Sequence, residues 1–452
     1  MAVSVPRVTA HSLAIVVSLL TYVLTTRVEH ERRPPSIAIA WVLGLIAVPY
    51  LVLPLYWLFG RRKLQRKGLP ATAAKTPRQH WAENLVESFG LPASSRSRVR
   101  MHADGAAARS ALFETMAAAR QRLDVCTYIL GNDTFGREAV QAMTDRVGAG
   151  VRVRLMIDGV GAIQLPRSVF RQLRAAGVET ATFSPLLARN TSGPRNLRNH
   201  RKLVIADDSV LWAGGRNLAG EYFTGAHGRP PWRDLSFDLH GPVAGAAARQ
   251  FEIDWVASAG KPAAPIQSTT AADAAGCAQF LPSGPDQSED TVQALLLDAC
   301  FRTERRLLAV TPYFVPDAGL ATAIRLAARR GVKIDLCLPA NSNHILADFA
   351  RNRSLRALAA AGVSIHLLPM MVHAKAVVFD ASLALCGSPN LDSRSLLLNY
   401  ESAFIFYGNA EIEWLADWIT ALIRDAKPFD ARAPGFFRDV AEGLLLTVAY
   451  QL

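Results

Sequence analysis

Two octapeptides in the chain combine residue types suited to acid–base and phosphate chemistry. Residues 200–207 are HRKLVIAD and residues 373–380 are HAKAVVFD, so His, Lys and Asp recur at identical offsets. Each His is also followed by a Gly fourteen residues later and by an Asn seventeen residues later. One such motif can arise by accident, but matched spacing over a longer stretch indicates an internal duplication.

Within each octapeptide the His and the Lys are two residues apart, which puts them on one face of a strand. If the two halves meet face to face, two imidazoles, two ammonium groups and two amides converge. Lys and Asn donors suit the non-bridging oxygens of a phosphate. One His can attack phosphorus, while the other protonates the departing alkoxide and then deprotonates an incoming alcohol. The six residues are His200, Lys202, Asn217, His373, Lys375 and Asn390.

Four carboxylates accompany these groups. Asp234 and Glu401 occupy equivalent places in the stretches WRDLSFDLHG and NYESAFIFYG, and each is an available acceptor that could orient a His ring. The sequence leaves open which carboxylate serves which His. Asp207 and Asp380 have the opposite strand parity from the His and Lys of their motifs, which favours a structural role.

The elements that must position these residues repeat as well. The first half contains RLDVCTYILGND, a helical stretch and GAGVRVRLMIDG, and the second contains RLLAVTPYFVPD and AIRLAARRGVKIDLCLPA. Strand, helix and strand in this order predict an α/β fold with a parallel or mixed sheet covered by helices. We divide the chain into an N-terminal segment (1–67), a connecting amphipathic segment (68–104), a first domain (105–257), a linker rich in Ala, Ser, Thr and Pro (258–276) and a second domain (277–452).

Two uncharged stretches near the N-terminus, residues 8–26 and 36–60, are each long enough to cross the hydrocarbon of a bilayer. They predict a two-helix transmembrane hairpin; a cleaved signal peptide and a buried core helix are the alternatives for the first and second stretch. Lys and Arg number six outside the hairpin and three in its loop, so both ends and the catalytic domains should face the cytoplasm.

Composition narrows the possible partners. The 452 residues carry a formal net charge of +12, which favours nucleic acid or an anionic membrane surface. The hairpin selects the membrane, and no nucleic-acid-binding motif accompanies the charge, so no nucleic-acid partner is expected. Five cysteines without paired spacing indicate a reducing compartment. The scheme requires no metal or other cofactor, and no metal-binding or Walker A motif is present in the sequence.

The motifs HRKLVIAD with WAGGRNLAGEYF, and HAKAVVFD with LCGSPNLDSRSLLLNYE, closely resemble the two HKD motifs of the phospholipase D superfamily. Within it, the chain is most similar to bacterial cardiolipin synthases of the phospholipase D type, which also have an N-terminal hairpin, a TPYFVPD stretch and a GPD stretch. The resemblance implies tandem αβα sandwich domains related by a pseudo-twofold axis, with one active site between them, in the bacterial inner membrane.

The resemblance also implies a covalent phosphohistidine, a metal-free reaction and transfer of a phosphatidyl group between two phosphatidylglycerol molecules, with release of glycerol. By position, His200 and His373 would be nucleophile and acid/base in an unassigned order. Lys202, Lys375, Asn217 and Asn390 would hold the phosphate. Asp207 and Asp380 belong to the catalytic motifs.

Other functions remain open at this point. The same site could hydrolyse its intermediate, as a phospholipase D or another phosphodiesterase, or the chain could be a membrane-anchored binding protein. The acceptor alcohol and the oligomeric state are also open.

Two further features of the sequence each have two interpretations. Four arginines near the first motif could steer anionic lipid or lie in a solvated loop; they are Arg189, Arg195, Arg198 and Arg201. Apolar residues at helical spacing from Phe436 to Val448 could form a core helix or a helix in the bilayer surface.

Overall fold

The fold is described from a computed structural model that covers residues 5–28, 35–60, 62–63, 80–185, 196–226, 228–259, 261–264 and 275–448. Most of the expected linker 258–276, and the basic residues Arg61, Arg66 and Lys67, lie outside these ranges. The N-terminal elements are α1 (Val5–Val28), α2 (Pro35–Ala47) and α3 (Pro49–Phe59).

The second uncharged stretch, expected to be one helix, is divided into α2 and α3 at Val48, whose backbone is not helical. Pro49 explains the break, because a proline disfavours a helical residue before it and has no N–H to continue the helix. Tyr22, Leu45 and Tyr56 are buried between the three helices, and Thr25 Oγ1 lies 2.6 Å from the Tyr56 hydroxyl. Within the described ranges, no helix is both long and apolar enough to cross a membrane.

The first half of the repeat is an alternation of helices and strands. Its elements are α4 (Trp81–Ser88), β1 (Ser95–His102), α5 (Gly105–Ala118), β2 (Arg122–Thr127), α6 (Thr134–Gly148), β3 (Arg152–Asp158), α7 (Arg167–Ala175), β4 (Glu179–Phe183), β5 (Leu203–Ala206), β6 (Val210–Gly214), β7 (Ser236–His240) and α8 (Pro242–Ala259). Residues 95–102, which sequence analysis assigned to the connecting segment, therefore form a strand of the sheet.

The second half repeats this plan. Its elements are β8 (Gly276–Ser283), α9 (Thr291–Arg302), β9 (Arg306–Val310), β10 (Phe314–Val315), α10 (Ala318–Arg329), β11 (Lys333–Pro339), α11 (Ile345–Ala359), β12 (Ser364–Leu368), β13 (Ala376–Phe379), β14 (Leu383–Gly387), β15 (Leu391–Asp392), α12 (Ser393–Leu397), β16 (Glu401–Phe406), α13 (Asn409–Arg424), β17 (Lys427–Pro428) and α14 (Phe436–Val448).

One mixed sheet runs through both halves. Its strand order is β17-β12-β11-β9-β13-β14-β16-β8-β1-β7-β6-β5-β2-β3-β4 among the described residues. In each half three strands are parallel and the rest antiparallel, and the order on one side of the β1–β8 boundary mirrors the order on the other. Strands β1 and β8 pair antiparallel, which joins the halves through backbone hydrogen bonds. The expected tandem α/β repeat is confirmed.

Helices cover both faces of this sheet and create three cores. Helices α8 and α13 pack on one face and bury a core that is continuous across the two halves. On the other face, α5 and α6 cover the first half, and α9, α10 and α4 cover the second. Burial on both faces explains the wholly apolar sequence of strands such as β13, AVVF, whose four residues are all buried.

Candidate active site

The two HKD motifs occupy equivalent places, each with its His just before a strand of the sheet, β5 or β13. Backbone hydrogen bonds tie each motif to the opposite half of the chain. The His200 N–H donates to the Tyr400 carbonyl at 2.8 Å, and the His373 N–H donates to the Arg233 carbonyl at 2.6 Å. Each His is therefore fixed to the residue that precedes the carboxylate of the other half.

His373 is oriented by the first half of the chain. Its Nδ1 lies 2.8 Å from Oδ2 of the fully buried Asp234. Asp234 also accepts a hydrogen bond from the Leu235 N–H. Burial opposes ionisation, but the contact with His373 and the charge of Lys375 outweigh it, and the pKa of Asp234 is lowered. The ionised carboxylate requires the proton on Nδ1, so the Nε2 lone pair of His373 is left for chemistry.

His200 is held in the same crossed manner but less tightly. Its Nδ1 lies 3.4 Å from Oε1 of Glu401, a separation beyond that of a well-formed hydrogen bond. Glu401 itself is fixed, because Ser388 Oγ donates to its Oε2 at 2.5 Å and Asn399 Nδ2 donates to its Oε1 at 3.2 Å. The side chain of His200 is 22% exposed against 9% for His373, so the site opens to solvent on the His200 side.

Both motif lysines are buried beside their histidines. Lys202 Nζ donates to the His200 carbonyl at 2.7 Å. Lys375 Nζ donates to the His373 carbonyl and lies 2.7 Å from Nδ1 and 3.1 Å from Nε2 of the His373 ring, so it shares Nδ1 with Asp234. Each contact places an ammonium group beside its own histidine, where an anion such as a phosphate would be attracted.

Burial and the two lysines set the protonation of the site. Burial lowers the pKa of His200 to about 4 and that of His373 to about 3, and the charges of both lysines act on each ring in the same direction. Both imidazoles are consequently neutral at pH 7. Burial also lowers the pKa of Lys202, and it lowers that of Lys375 to about 7 against the pull of Asp234. Since each lysine influences both histidines, the two motifs form a single electrostatic cluster.

Asn217 and Asn390 are oriented by a repeated local contact. Asn217 Nδ2 donates to the hydroxyl of Tyr222 at 2.7 Å, and Asn390 Nδ2 donates to the hydroxyl of Ser395 at 3.1 Å. In both, Oδ1 is buried without a hydrogen-bond partner in the described part of the chain. Rotating either amide would let its oxygen accept from the hydroxyl and turn its NH₂ outward. A buried amide oxygen without a hydrogen-bond partner, at both Asn217 and Asn390, calls for an explanation, and a ligand bound beside the two amides would provide one.

Asp207 and Asp380 lie outside this cluster. Each has a left-handed backbone, with φ of 50° and 52°. The carboxylate of Asp207 accepts three backbone N–H groups at residues 120–122, and that of Asp380 accepts three at residues 304–306. These contacts secure the starts of β2 and β9. The structural role predicted for both carboxylates and the catalytic role that the resemblance implies both stay predictions, and these backbone contacts favour the structural one.

Arg201 is also structural. Its buried guanidinium donates to Asp254 at 2.5 Å, to Asp286 at 3.2 Å and to the Glu401 carbonyl. Arg198 is buried as well and pairs with Asp158. Neither arginine is free to steer lipid or to lie in a solvated loop; Arg189 and Arg195 fall outside the described residues. Arg201 instead joins the first motif to the GPD stretch of the second half.

Sequence reasoning missed the aromatic residues around the two histidines. The ring of Tyr128 lies 4.3 Å from that of His200. Tyr222, Trp232 and Tyr313 lie 5.1, 5.6 and 6.5 Å from the His373 ring. A signal was present, because Tyr128 and Tyr313 follow equivalent strands in the repeated stretches TYIL and TPYF.

Comparison with known proteins agrees with this architecture. A family model described as "Cardiolipin synthase, PLD-like domain" matches residues 112–227 and 296–423, more than half of the chain. The chain belongs to the phospholipase D superfamily. A second model, "Phospholipase_D-nuclease N-terminal", matches residues 13–61. Membership and the relatives below make the protein an enzyme of the phospholipase D-type phosphatidyltransferase class.

Among curated members of the superfamily, cardiolipin synthase A of Pseudomonas aeruginosa is 30% identical over 450 residues, covering 92% of this chain and 91% of the relative. Cardiolipin synthase of Geobacillus thermodenitrificans is 28% identical, covering 88% and 85%. Among solved structures, phosphatidylserine synthase of Haemophilus influenzae aligns over 82% of this chain and 100% of its own, with a TM-score of 0.61 and 13% identity. That structural likeness concerns the fold alone.

Proposed function

We propose that the protein is a membrane-bound phosphatidyltransferase that makes cardiolipin from two phosphatidylglycerol molecules. The observation that supports this most is the crossed pairing of His373 with Asp234 and of His200 with Glu401 beside two buried lysines. The 30% identity to a cardiolipin synthase over most of both chains supports the choice of substrate.

In the first half-reaction, Nε2 of one neutral His forms a bond to the phosphorus of phosphatidylglycerol. The bond from phosphorus to the glycerol headgroup oxygen breaks, and the second His gives that oxygen a proton. The bound phosphodiester offsets the charges of Lys202 and Lys375, so the second His takes up a proton more readily than in the empty site. A phosphatidyl-histidine and glycerol result.

In the second half-reaction, the glycerol hydroxyl of another phosphatidylglycerol gives its proton to the same acid/base His and attacks phosphorus. The phosphorus–nitrogen bond breaks, which releases cardiolipin and restores both imidazoles. Lys202, Lys375, Asn217 and Asn390 hold the non-bridging oxygens as phosphorus becomes five-coordinate. Water in place of the alcohol would give phosphatidic acid, and the partial exposure of His200 favours this hydrolytic activity as the alternative.

Helices α1–α3 are proposed to be the membrane anchor. Large apolar side chains point outward on all three, among them Leu20, Leu43 and Leu51. Such a surface is unfavourable in water and suited to lipid. The positive-inside rule then puts the catalytic halves on the cytoplasmic side of a bacterial inner membrane. Anionic lipids at that surface would be attracted by the formal net charge of +12 on the chain.

The test is turnover by purified full-length protein in vesicles that contain headgroup-labelled phosphatidylglycerol and a chelator. Cardiolipin with an equal amount of free glycerol supports the proposal. Phosphatidic acid with glycerol would assign hydrolysis instead, and absence of both products would refute an active site. The variants His200→Ala and His373→Ala are the controls, since each removes one imidazole and should abolish turnover.

A further inference from the structure

Helix α14 has one face anchored to the catalytic body. The carboxylate of Glu442 is fully buried and accepts hydrogen bonds from Arg356 of α11 at 2.5 Å and from Arg438 at 3.1 Å. Arg356 also contacts Asp439 at 3.3 Å. Leu445 packs against a small apolar cluster that contains Val315. The acidic groups of the helix are therefore neutralised within the chain, on the side that faces α11.

The opposite face of α14 is apolar and exposed. Phe437 is 87% exposed, Phe436 is 76% exposed and Val440 is 44% exposed. The two rings lie 5.7 Å apart at the start of the helix. Two adjacent, largely exposed phenylalanines, with Val440 one helical turn later, form an apolar patch. Such exposed patches commonly mark interaction surfaces. We name Phe436, Phe437 and Val440 the α14 patch.

The helix that carries the patch rests on the wall of the candidate active site. Val315, which Leu445 approaches, is two residues beyond Tyr313, and the Tyr313 ring lies 6.5 Å from that of His373. Helix α11, to which α14 is bonded, begins directly after His344, whose ring is 5.1 Å from Tyr313. The first residue of α11, Ile345, is itself 82% exposed.

We propose that the α14 patch inserts into the interface of the phospholipid bilayer from which the enzyme takes its substrate. The inference rests on the proposed function, because a diacyl lipid cannot leave the bilayer without exposing its chains to water. A site that acts on it must lie at the interface, and the apolar surface beside the site would lie there too. Amphipathic helices with Trp, Phe or Leu on one face bind in this manner, with the apolar face buried at the boundary of headgroups and acyl chains.

Charge near the patch is balanced within the chain. Arg438, whose side chain is 59% exposed, pairs with Glu442, and Arg432, whose side chain is 90% exposed, pairs with Asp430. The choice of a bilayer as the partner of the patch therefore rests on the lipid substrate of the adjacent site, and a second copy of the chain is the alternative that the experiment distinguishes.

The first experiment places a single environment-sensitive fluorophore on the full-length chain. Phe437→Cys is made in a Cys277→Ser background, because Cys277 is partly exposed and the other four cysteines are buried. The matched control is Glu304→Cys. Glu304 is exposed and precedes β9, whereas Tyr313 follows β9, so the two residues lie at opposite ends of this strand. Each labelled protein is reconstituted into vesicles of phosphatidylglycerol and phosphatidylcholine, with and without spin-labelled lipid.

Position 437 should show blue-shifted emission that spin-labelled lipid quenches, and position 304 should show neither. Equal lack of quenching at both positions would overturn the proposal. Blue-shifted emission that lipid does not quench, and that depends on protein concentration, would assign the patch to a second copy of the chain instead. Quenching requires no turnover, so it should persist with His373→Ala. Quenching without any phosphatidyl transfer would contradict the proposed function and leave this inference standing.

The second experiment tests whether the patch serves catalysis. Phe436→Asp with Phe437→Asp should lower turnover of vesicle phosphatidylglycerol by about tenfold, through loss of interfacial contact. Turnover of a short-chain phosphatidylglycerol dispersed as monomers should stay within about twofold of wild type, because that substrate does not require the interface. Phe437→Leu is the conservative control. Equal loss on both substrates would indicate a folding defect and would count against the proposal.

Discussion

Asp234, in the first half of the chain, lies 2.8 Å from Nδ1 of His373, in the second half. The corresponding separation between Glu401 and His200 is 3.4 Å. Each half thus supplies the carboxylate that orients the imidazole of the other, and one of the two pairs is closer. Neither half contains a complete set of oriented catalytic groups.

Asp234→Asn should lower kcat for phosphatidyl transfer by about 10²–10⁴-fold, because the charge that fixes the His373 tautomer is lost. KM should also rise at pH 7, because the charge of Asp234 raises the pKa of Lys375 and its loss leaves less ammonium to attract the phosphate. Glu401→Gln should cost less, because its contact with His200 is longer. Steady-state kinetics on both variants, with thermal unfolding as a control for folding, test this. A larger loss for Glu401→Gln would contradict the assignment.

Substrate affinity should fall as pH rises through about 7. Burial lowers the pKa of Lys375 to about 7, so the ammonium form that attracts phosphate is present below that pH and is lost above it. KM for phosphatidylglycerol should therefore be flat below pH 7 and rise above it, approaching about tenfold per pH unit. Lys375→Gln should bind weakly at every pH and lose this slope. A KM that falls with increasing pH would be inconsistent with the prediction.

Asp207→Ala and Asp380→Ala should destabilise the fold rather than impair the chemistry. Each removes a carboxylate that accepts three backbone N–H groups, which should lower the free energy of unfolding by about 1–3 kcal/mol. Asn keeps one acceptor oxygen and tolerates the left-handed backbone, so Asp207→Asn should lose less. Denaturant unfolding gives the stability, and kcat well below the melting temperature gives the activity. A severe loss of kcat in a folded variant would restore these residues to the catalytic set.

The chain after α3 should be protected from protease by its contact with the second half. Arg62 and Lys63 pair with Asp290, and Lys63 Nζ also donates to the carbonyl of Gly284. Asp290→Ala should accelerate tryptic cleavage after residues 62 and 63, identified by fragment mass. Asp298→Ala, which removes an exposed ion pair with Arg302, is the control and should not alter that cleavage. Unchanged cleavage in Asp290→Ala would show that the contact does not restrain this segment.

Much of the architecture was predictable because the same pattern of strands, helices and motif residues occurs twice in the sequence. A single strand–helix–strand pattern is ambiguous, but two copies with matched His, Gly and Asn offsets predicted the tandem α/β fold. Strand parity predicts a role for Asp207 and Asp380 apart from the histidines of their motifs, and this stays a prediction. The repeated glycines, Gly214 and Gly387, mark close approaches of the backbone, because a Cβ at either would lie within 2.4 Å of a backbone carbonyl oxygen.

Other features depend on contacts between residues distant in sequence, which local patterns do not encode. The pairing of Asp234 with His373 could not be chosen over pairing with His200, because both carboxylates occupy equivalent places. Strand β1 was assigned to the connecting segment because its alternating Arg and Ser residues resemble a polar segment; its place beside β8 depends on a partner at residues 276–278. The break at Val48 is a local effect of Pro49, because a proline disfavours a helical backbone at the residue before it.

The pairing of residues 95–97 with 276–278 joins the two halves through backbone hydrogen bonds of one continuous sheet. Under the proposed mechanism, closure of one half onto the other would have to break these hydrogen bonds, so we expect the spacing between the two histidines to change little when lipid binds. Water would then have to be excluded from the proposed phosphatidyl-histidine by the loops around the site and by the bound lipids. Evolution from a synthase to a lipase, or the reverse, would then change the loops around the site while the shared sheet stayed constant.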